Sequence, residues 1–353
     1  MGVQPVLSVI IPARNAEATL ERVLSVWRGR EREGFEVIVV DDASTDGTAG
    51  IAARRADRVI TLARRLGPAA ARNAGAGAAR ADIVLFIDAD VLATARTIGL
   101  VIRELRDNPG LDAVFGSYDD RPAEPNFLSQ FKNLHHHFVH QNSEEEAQTF
   151  WAGCGAVRKR AFLEAGGFSE TYTLPSIEDV EFGYRLKSSG HTIRLLKDLQ
   201  VTHLKRWTFT GLLRSDISGR AIPWTKLACA RGLPRDLNFK LPDRLSAVVV
   251  WLLPLGLAAG ALWPGGIVLF AGAGSFLILA NRSLYRFFLR KRGPWFAFRS
   301  VLWHWFYLLY ASAVFLLLAP VCLARRIFGR GPKKSSRERR KKPDRERGRS
   351  VRT

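Results

Sequence analysis

Cysteine is scarce in these 353 residues: Cys154, Cys229 and Cys322 lie far apart, with neither disulfide-framework nor metal-finger spacing. That excludes a disulfide-stapled scaffold and a cysteine-built metal site, and it fits a reducing, cytoplasmic setting for the main domain. Acid is also in short supply, with 33 Asp/Glu against 53 Lys/Arg and a formal net charge of +20. The imbalance is concentrated at one end, since residues 324–353 hold fourteen Lys/Arg and three Asp/Glu, a net +11. This tail has almost nothing apolar to bury and is expected to be disordered. Beyond Phe328 it lacks aromatics on which bases could stack, so anionic lipid is its expected partner and nucleic acid is not. A secretory leader is not expected, because the first apolar run, "VLSVIIPA", is too short for one and reads as a strand.

Charge is missing altogether from two other stretches, residues 245–263 and 265–280, and the run 301–324 carries only His304. Roughly 20 apolar residues cross a bilayer. The sequence therefore predicts a multi-pass membrane region over 244–324, with spans at 245–263, 265–281 and 301–324. Arg244 precedes the first run, and Arg282, Arg286, Arg290, Lys291, Arg292 and Arg299 follow the second. A hairpin with both ends cytoplasmic obeys the positive-inside rule. A third span would carry the basic tail outward against the same rule, so either that segment is re-entrant or the tail lies outside.

The first 206 residues alternate apolar strands with helical stretches: "LSVIIPA", "FEVIVVDDAS", "DRVITLA", "DIVLFIDAD" and "LDAVFGSYDD" are separated by helical spacings. Such alternation predicts an α/β domain built on a mostly parallel, Rossmann-like sheet covered on both faces. The glycines of "AGAGAAR" sit inside a helical stretch rather than after the first strand, so they read as allowing close packing and not as a dinucleotide fingerprint. Residues 207–243, where Trp207, Phe209, Leu212, Leu213 and Ile217 alternate with basic residues, are expected to lie in the membrane interface, and 325–353 is the tail. "HHHFVH" offers His136 and His140 on one helix face, but nothing completes a zinc site, and a polar helix beside the membrane is the default reading.

Ligands of open α/β sheets bind beyond the carboxyl ends of the strands, and two strands end there in acids, Asp41-Asp42 and Asp88-Ala89-Asp90. Carboxylates as close as Asp88 and Asp90 repel unless a cation joins them. A hard ion, Mg²⁺ or Mn²⁺, shares its shell between a few carboxylates, waters and phosphates, so these acids suit a metal bridge to a diphosphate.

The ordered set "SVIIPARNAEATL", "VIVVDDASTDGT", "ARNAGAGAARADIVLFIDAD", "GCGAVRKRAFLEAGGF" and "IEDVEFGYRL" resembles the family 2 glycosyltransferases of GT-A fold over about residues 6–207. The resemblance implies inverting transfer of a sugar from a nucleoside diphosphate sugar. It implies a nucleotide-sugar rim of Pro12, Arg14, Glu17 and Asp41 or Asp42, with Arg72 and Asn73 lining the pocket. Asp88 and Asp90 would take the metal, and Asp179, paired with Glu178, would be the general base. "HLKRW" is similar to the QxxRW motif of membrane-embedded members, implying Arg206 on the diphosphate and Trp207 near the acceptor. His203 stands where Gln is usual, which makes it a candidate third metal ligand and weakens any inference of processivity. With the membrane spans, this favours a membrane-bound acceptor: a polyprenyl phosphate, a lipid or a lipid-linked glycan. The competing readings are a nucleotidyltransferase, which would not need the Glu178-Asp179 base, and an inactive membrane adaptor with a basic tail.

Overall fold

The computed structural model describes residues 4–27, 34–94, 96–231 and 241–328. The tail from 329 onward, and residues 232–240 of the expected interfacial segment, lie outside these. The chain runs β1 (Leu7–Ala13), α1 (Glu17–Ser25), β2 (Phe35–Asp41), α2 (Thr48–Arg55), β3 (Arg58–Thr61), α3 (Pro68–Ala78), β4 (Ile83–Ile87), the two-residue β5 (Val91–Leu92) and α4 (Thr97–Asp107). It continues through β6 (Ala113–Tyr118), α5 (Phe127–Gln141), β7 (Cys154–Arg158), α6 (Lys159–Glu164), α7 (Glu178–Ser188) and β8 (Ile193–His203).

The strands form one sheet in the order β3-β2-β1-β4-β7-β6-β8-β5. β3, β2, β1 and β4 are parallel, β7 runs antiparallel between β4 and β6, β8 is parallel to β6, and β5 is antiparallel to β8. Six of the eight strands thus point the same way, a mostly parallel sheet as expected, and only β7 and the short β5 run against it. An apolar run such as "GCGAV" shows that a strand is buried but not which way it points.

Side chains alternate across the sheet, as a two-residue period demands. Val9, Ile11, Val37 and Val39 meet Leu20, Val23 and Trp27 on the α1 side, with Val101 and Leu105 of α4. Ile10, Ile38, Val40, Val84 and Phe86 face the other way, toward Ala69, Ala71 and Ala76 of α3 and the rings of Phe150, Phe162, Phe168 and Phe182. Alanine and glycine in α3 let it lie close: a Cβ on Gly75 would stand 2.4 Å from Cγ2 of Ile10.

Beyond the sheet come α8 (Phe209–Asp216), a single π-helical turn (Ile217–Ala221), α9 (Ile222–Arg231), α10 (Leu241–Val249), α11 (Leu252–Gly260), α12 (Gly265–Ala280) and α13 (Arg282–Phe328). α13 is two helical arms joined at Gly293, whose φ of 80° breaks the helix just before Pro294. Leu241–Gly260 and Arg282–Ala324 each contain a stretch with the length and apolar composition of a membrane span, while Gly265–Ala280 is apolar but shorter. The first candidate span begins at Leu241 rather than 245, and the run 301–324 belongs to the longer second arm of α13. Leu257, Leu262, Val268 and Leu317 point outward, each at least 69% exposed, an apolar surface that calls for a nonpolar surrounding. The first arm of α13 docks on the α/β domain instead. Leu284, Tyr285 and Phe288 pack on Phe131 and Leu134 of α5, and Arg292 Nε donates to Gln130 Oε1 at 2.8 Å.

Candidate active site

At the end of β2, two neighbouring acids have different jobs. Asp42 Oδ1 and Oδ2 accept from the backbone N–H groups of Leu66 (2.6 Å) and Gly67 (2.9 Å), so Asp42 is committed to shaping the loop that enters α3. Gly67 is required there: its φ is +97°, and a Cβ would meet the Thr173 carbonyl oxygen at 2.5 Å. The Asp41 carboxylate is also buried but, among the described residues, accepts only from Ser44 N, at 3.1 Å on Oδ1. Arg14 donates from Nη1 to the carbonyls of Asp42 and Ala43, both at 2.8 Å, which fixes the strand ends side by side. Pro12 pairs in register with Val40, and Glu17 Oε2 receives Gly47 N at 3.0 Å, joining α1 to the start of α2.

At the end of β4 the acids converge on one buried arginine. Arg72 donates from Nη2 to Asp88 Oδ1 at 2.7 Å and from Nη1 to Glu178 Oε1 at 2.8 Å. Burial works against its charge, but Asp88, Glu178 and Asp179 outweigh it and hold the guanidinium more firmly protonated than usual. Glu178 takes a further N–H, from Ser176 at 2.9 Å, so this buried carboxylate is an anchor for Arg72. The segment entering β7 ties both sides together. The Gly153 carbonyl accepts from Asp88 N, at 3.3 Å, while Ala152 N donates to Asp179 Oδ2 at 3.1 Å. Burial, and then the neighbouring Glu178, push the Asp179 carboxyl up to about 7, with Arg72 and the Ala152 amide only partly opposing them. A carboxylate with that affinity is matched to taking up a proton near neutrality.

The second acid of the pair looks elsewhere. β5 pairs Val91 with His203 of β8, and this sets His203 Nε2 at 3.7 Å from Asp90 Oδ2, an electrostatic contact longer than a hydrogen bond. Burial opposes the Asp90 charge, yet His203 and Lys205 keep its carboxyl below the usual range. Asp88 is raised, first by burial, with the Asp90 charge adding and Arg72 countering. Tyr118 stacks on His203 with ring centres 4.3 Å apart and planes at 13°. Among the described residues no group of three or more His, Cys, Asp and Glu is gathered to hold a metal ion unaided. The donors at hand, Asp88, Asp90 and His203, instead suit an ion that draws most of its shell from a phosphate ligand and water.

Asn73, expected in the pocket, is a clamp: its Nδ2 donates to Phe168 O and Glu170 Oε1, both at 2.9 Å, and its Oδ1 accepts from Phe168 N. Trp207 is 7% exposed and its backbone is fixed by Ser129 and Asn126, so it forms a wall rather than an open stacking platform. Arg206 is largely exposed, 4.0 Å from Glu124. Tyr118 and Trp151, whose ring centres lie 4.9 Å apart edge to face, were not singled out from the sequence; "SYDD" after a strand and "FW" before "AGCG" were their only traces, and neither spelled out a role. His137 and His140 of the histidine run donate from Nδ1 to the carbonyls of Tyr118 (2.8 Å) and Gly116 (3.0 Å), so they brace β6.

A parallel α/β half with acids at its strand ends, joined through an antiparallel strand to a second half that returns an acid-headed helix, is a glycosyltransferase GT-A fold. A mannosyltransferase from Pyrobaculum calidifontis, PcManGT, solved with GDP-Man and Mn²⁺, superposes with a TM-score of 0.60 over 89% of this chain and 88% of its own, at 22% identity. Residues 8–167 match the family described as Glycosyl transferase family 2. Validoxylamine A glucosyltransferase of Streptomyces hygroscopicus subsp. limoneus is 29% identical over 53% of this chain and 49% of its own length. A pre-mycofactocin glycosyltransferase of Mycobacterium tuberculosis is 28% identical over 56% of this chain and 42% of its own. The chain thus spans about half the length of these curated relatives.

Proposed function

We propose that this chain is an inverting glycosyltransferase that takes a sugar from a nucleoside diphosphate sugar and delivers it to a membrane-associated acceptor. In this reading the spans form a multi-pass anchor in the cell membrane and the α/β domain is cytoplasmic. The single observation that carries the reading is the placement of Asp179. Its carboxylate, poised near neutrality, is held by the Ala152 amide across from the Asp88–Arg72–Glu178 clamp. Asp41, with its second oxygen outside the loop hydrogen bonds, would meet the nucleotide base, while Arg14, Glu17 and Asp42 hold the rim in shape. Arg72 fixes Asp88 and supplies a permanent positive charge beside the departing diphosphate. Arg206, largely exposed, would approach the diphosphate from outside. Asp179 would accept the proton of the acceptor hydroxyl as it attacks on the face opposite the leaving group. A Mg²⁺ or Mn²⁺ ion held by Asp88, Asp90 and His203 would supply the charge that stabilises the leaving diphosphate.

The family match, and the glycosyltransferase relatives, support the reaction class; the exposed apolar helices support the membrane site. The test is to incubate the detergent-solubilised chain with Mn²⁺ and a panel of nucleotide-sugars and to measure nucleoside diphosphate release. One donor should be consumed, and Asp179→Asn should lose transfer while still binding that donor. Release from none of the donors would refute the assignment.

A further inference from the structure

Asp216, at the end of α8, is 3% exposed and belongs to no part of the site described above. Its Oδ1 accepts from Lys132 Nζ of α5 at 2.7 Å and from Arg220 Nη1 at 2.9 Å, and its Oδ2 accepts from Tyr310 OH of α13 at 2.8 Å. Among the hydrogen bonds of the described residues, one carboxylate therefore serves two cations, so the positive charge in direct contact exceeds the negative. Burial and the Arg220 charge bring Lys132 down to about 8 in spite of Asp216, the strain expected of a cation pair short of an anion. Arg220 spends one nitrogen on Asp216, and its side chain is 45% exposed, against 19% for Lys132. It lies in the π-helical turn Ile217–Ala221, and such turns, rare in helices, recur at functional sites.

The position gives the surplus charge a meaning. Lys132 is one helical turn from His136, whose ring centre is 4.5 Å from that of Tyr118. Tyr118 stacks on His203, which faces Asp90. On its other side the cluster touches the apolar second arm of α13, through Tyr310 and through Tyr307, whose ring centre is 5.8 Å from Lys132 Nζ. The cations thus stand between the catalytic acids and a candidate membrane span.

We propose that Lys132 and Arg220 form a seat for a phosphate group carried by the acceptor, with the acceptor's hydrocarbon part lying along the second arm of α13. This rests on the proposed glycosyl transfer and narrows its acceptor to a phosphate-bearing lipid. A guanidinium and an ammonium fixed by a shared buried carboxylate are preorganised for a phosphate, the ligand for which arginine's fork is suited.

The test is a calorimetric titration of the full chain, in a neutral maltoside detergent and without donor, using farnesyl phosphate, farnesol and inorganic phosphate as probes. Farnesyl phosphate is expected to bind at least about ten-fold more tightly than either of the other two, and Arg220→Gln to remove about ten-fold or more of that affinity. Arg220→Lys, which keeps the charge, should restore much of it. Equal binding of farnesol overturns the anion seat, and equal binding of inorganic phosphate shows a free-anion site rather than an acceptor site. Unchanged farnesyl phosphate affinity in Arg220→Gln overturns the location. Should Arg220→Gln fail to fold, the wild-type preference among the three probes and the Arg220→Lys titration still decide. Because no donor is present, failure here is distinct from failure of the transfer reaction, which the nucleotide-sugar panel reads separately.

Discussion

Replacing Asp179 by Asn should make the protein more stable while disabling it, and the two effects should share one pH dependence. In the folded chain this carboxyl is raised from 3.8 to about 7, first by burial and then by Glu178. The sign follows from linkage. A raised carboxyl contributes stability that is fully present below its unfolded value, near pH 4, and is lost as the pH climbs through 7. Three pH units at about 1.4 kcal/mol each give a ceiling of about 4 kcal/mol for the cost of ionising Asp179. The value of about 7 already includes the opposing bond from Ala152 N, so asparagine, isosteric with the protonated acid, avoids the whole cost. The expectation is a variant indistinguishable from wild type at pH 4 and up to about 4 kcal/mol more stable at pH 8. As a general base, Asp179 should contribute about 10²–10⁴ in rate, and wild-type kcat/KM should rise with pH to a plateau above about 7. Thermal melts across pH 4–8, beside donor turnover, check both. A variant destabilised equally at all pH values, or one that keeps its turnover, would show that Asp179 is an ordinary first-turn helix acid.

Arg72→Met should cost about 3–5 kcal/mol, because it strands the buried Glu178 carboxylate; thermal unfolding should show the loss and Arg72→Met/Glu178→Gln should recover part of it. Gly67→Ala should lower the melting temperature by the equivalent of about 2 kcal/mol or more, through the left-handed backbone and the Thr173 carbonyl; an unaltered melt would mean that the Asp42 loop tolerates a side chain. Trp207→Ala should cost about 3–5 kcal/mol as a core truncation. If Trp207 were instead an open acceptor contact, the substitution would raise the acceptor KM and leave the melt in place.

Much of this could be read from the chain before its fold was known, and the reason differs by residue. Asp41, Asp42, Asp88 and Asp90 stood out because an apolar run of strand length ending in acid has few purposes, and strand ends collect at one rim. His203 was visible as a departure from a motif, although only the pairing of β5 with β8 explains how it reaches Asp90. The roles of Asp41 and Asp42 separated only when the amides of Leu66 and Gly67 were seen to claim one of them. Asn73 sits in a pocket-lining motif, yet its partners at Phe168 and Glu170 are 95 and 97 positions away, beyond any local pattern. The direction of β7 was hidden for a similar reason, since burial is written in composition and strand polarity is not. Asp216 illustrates the limit most clearly: its partners Lys132 and Tyr310 lie 84 and 94 positions away on separate helices, and only packing reveals that two cations share it.

The most direct measurement is the affinity of the full chain for its nucleotide-sugar, titrated with Mn²⁺, after exhaustive chelation, and in Asp88→Ala/Asp90→Ala. Donor binding should require the ion and fall by at least about 100-fold in the double variant, while the protein remains folded. Binding that is equally tight without divalent ions and without both carboxylates would contradict the account at its centre.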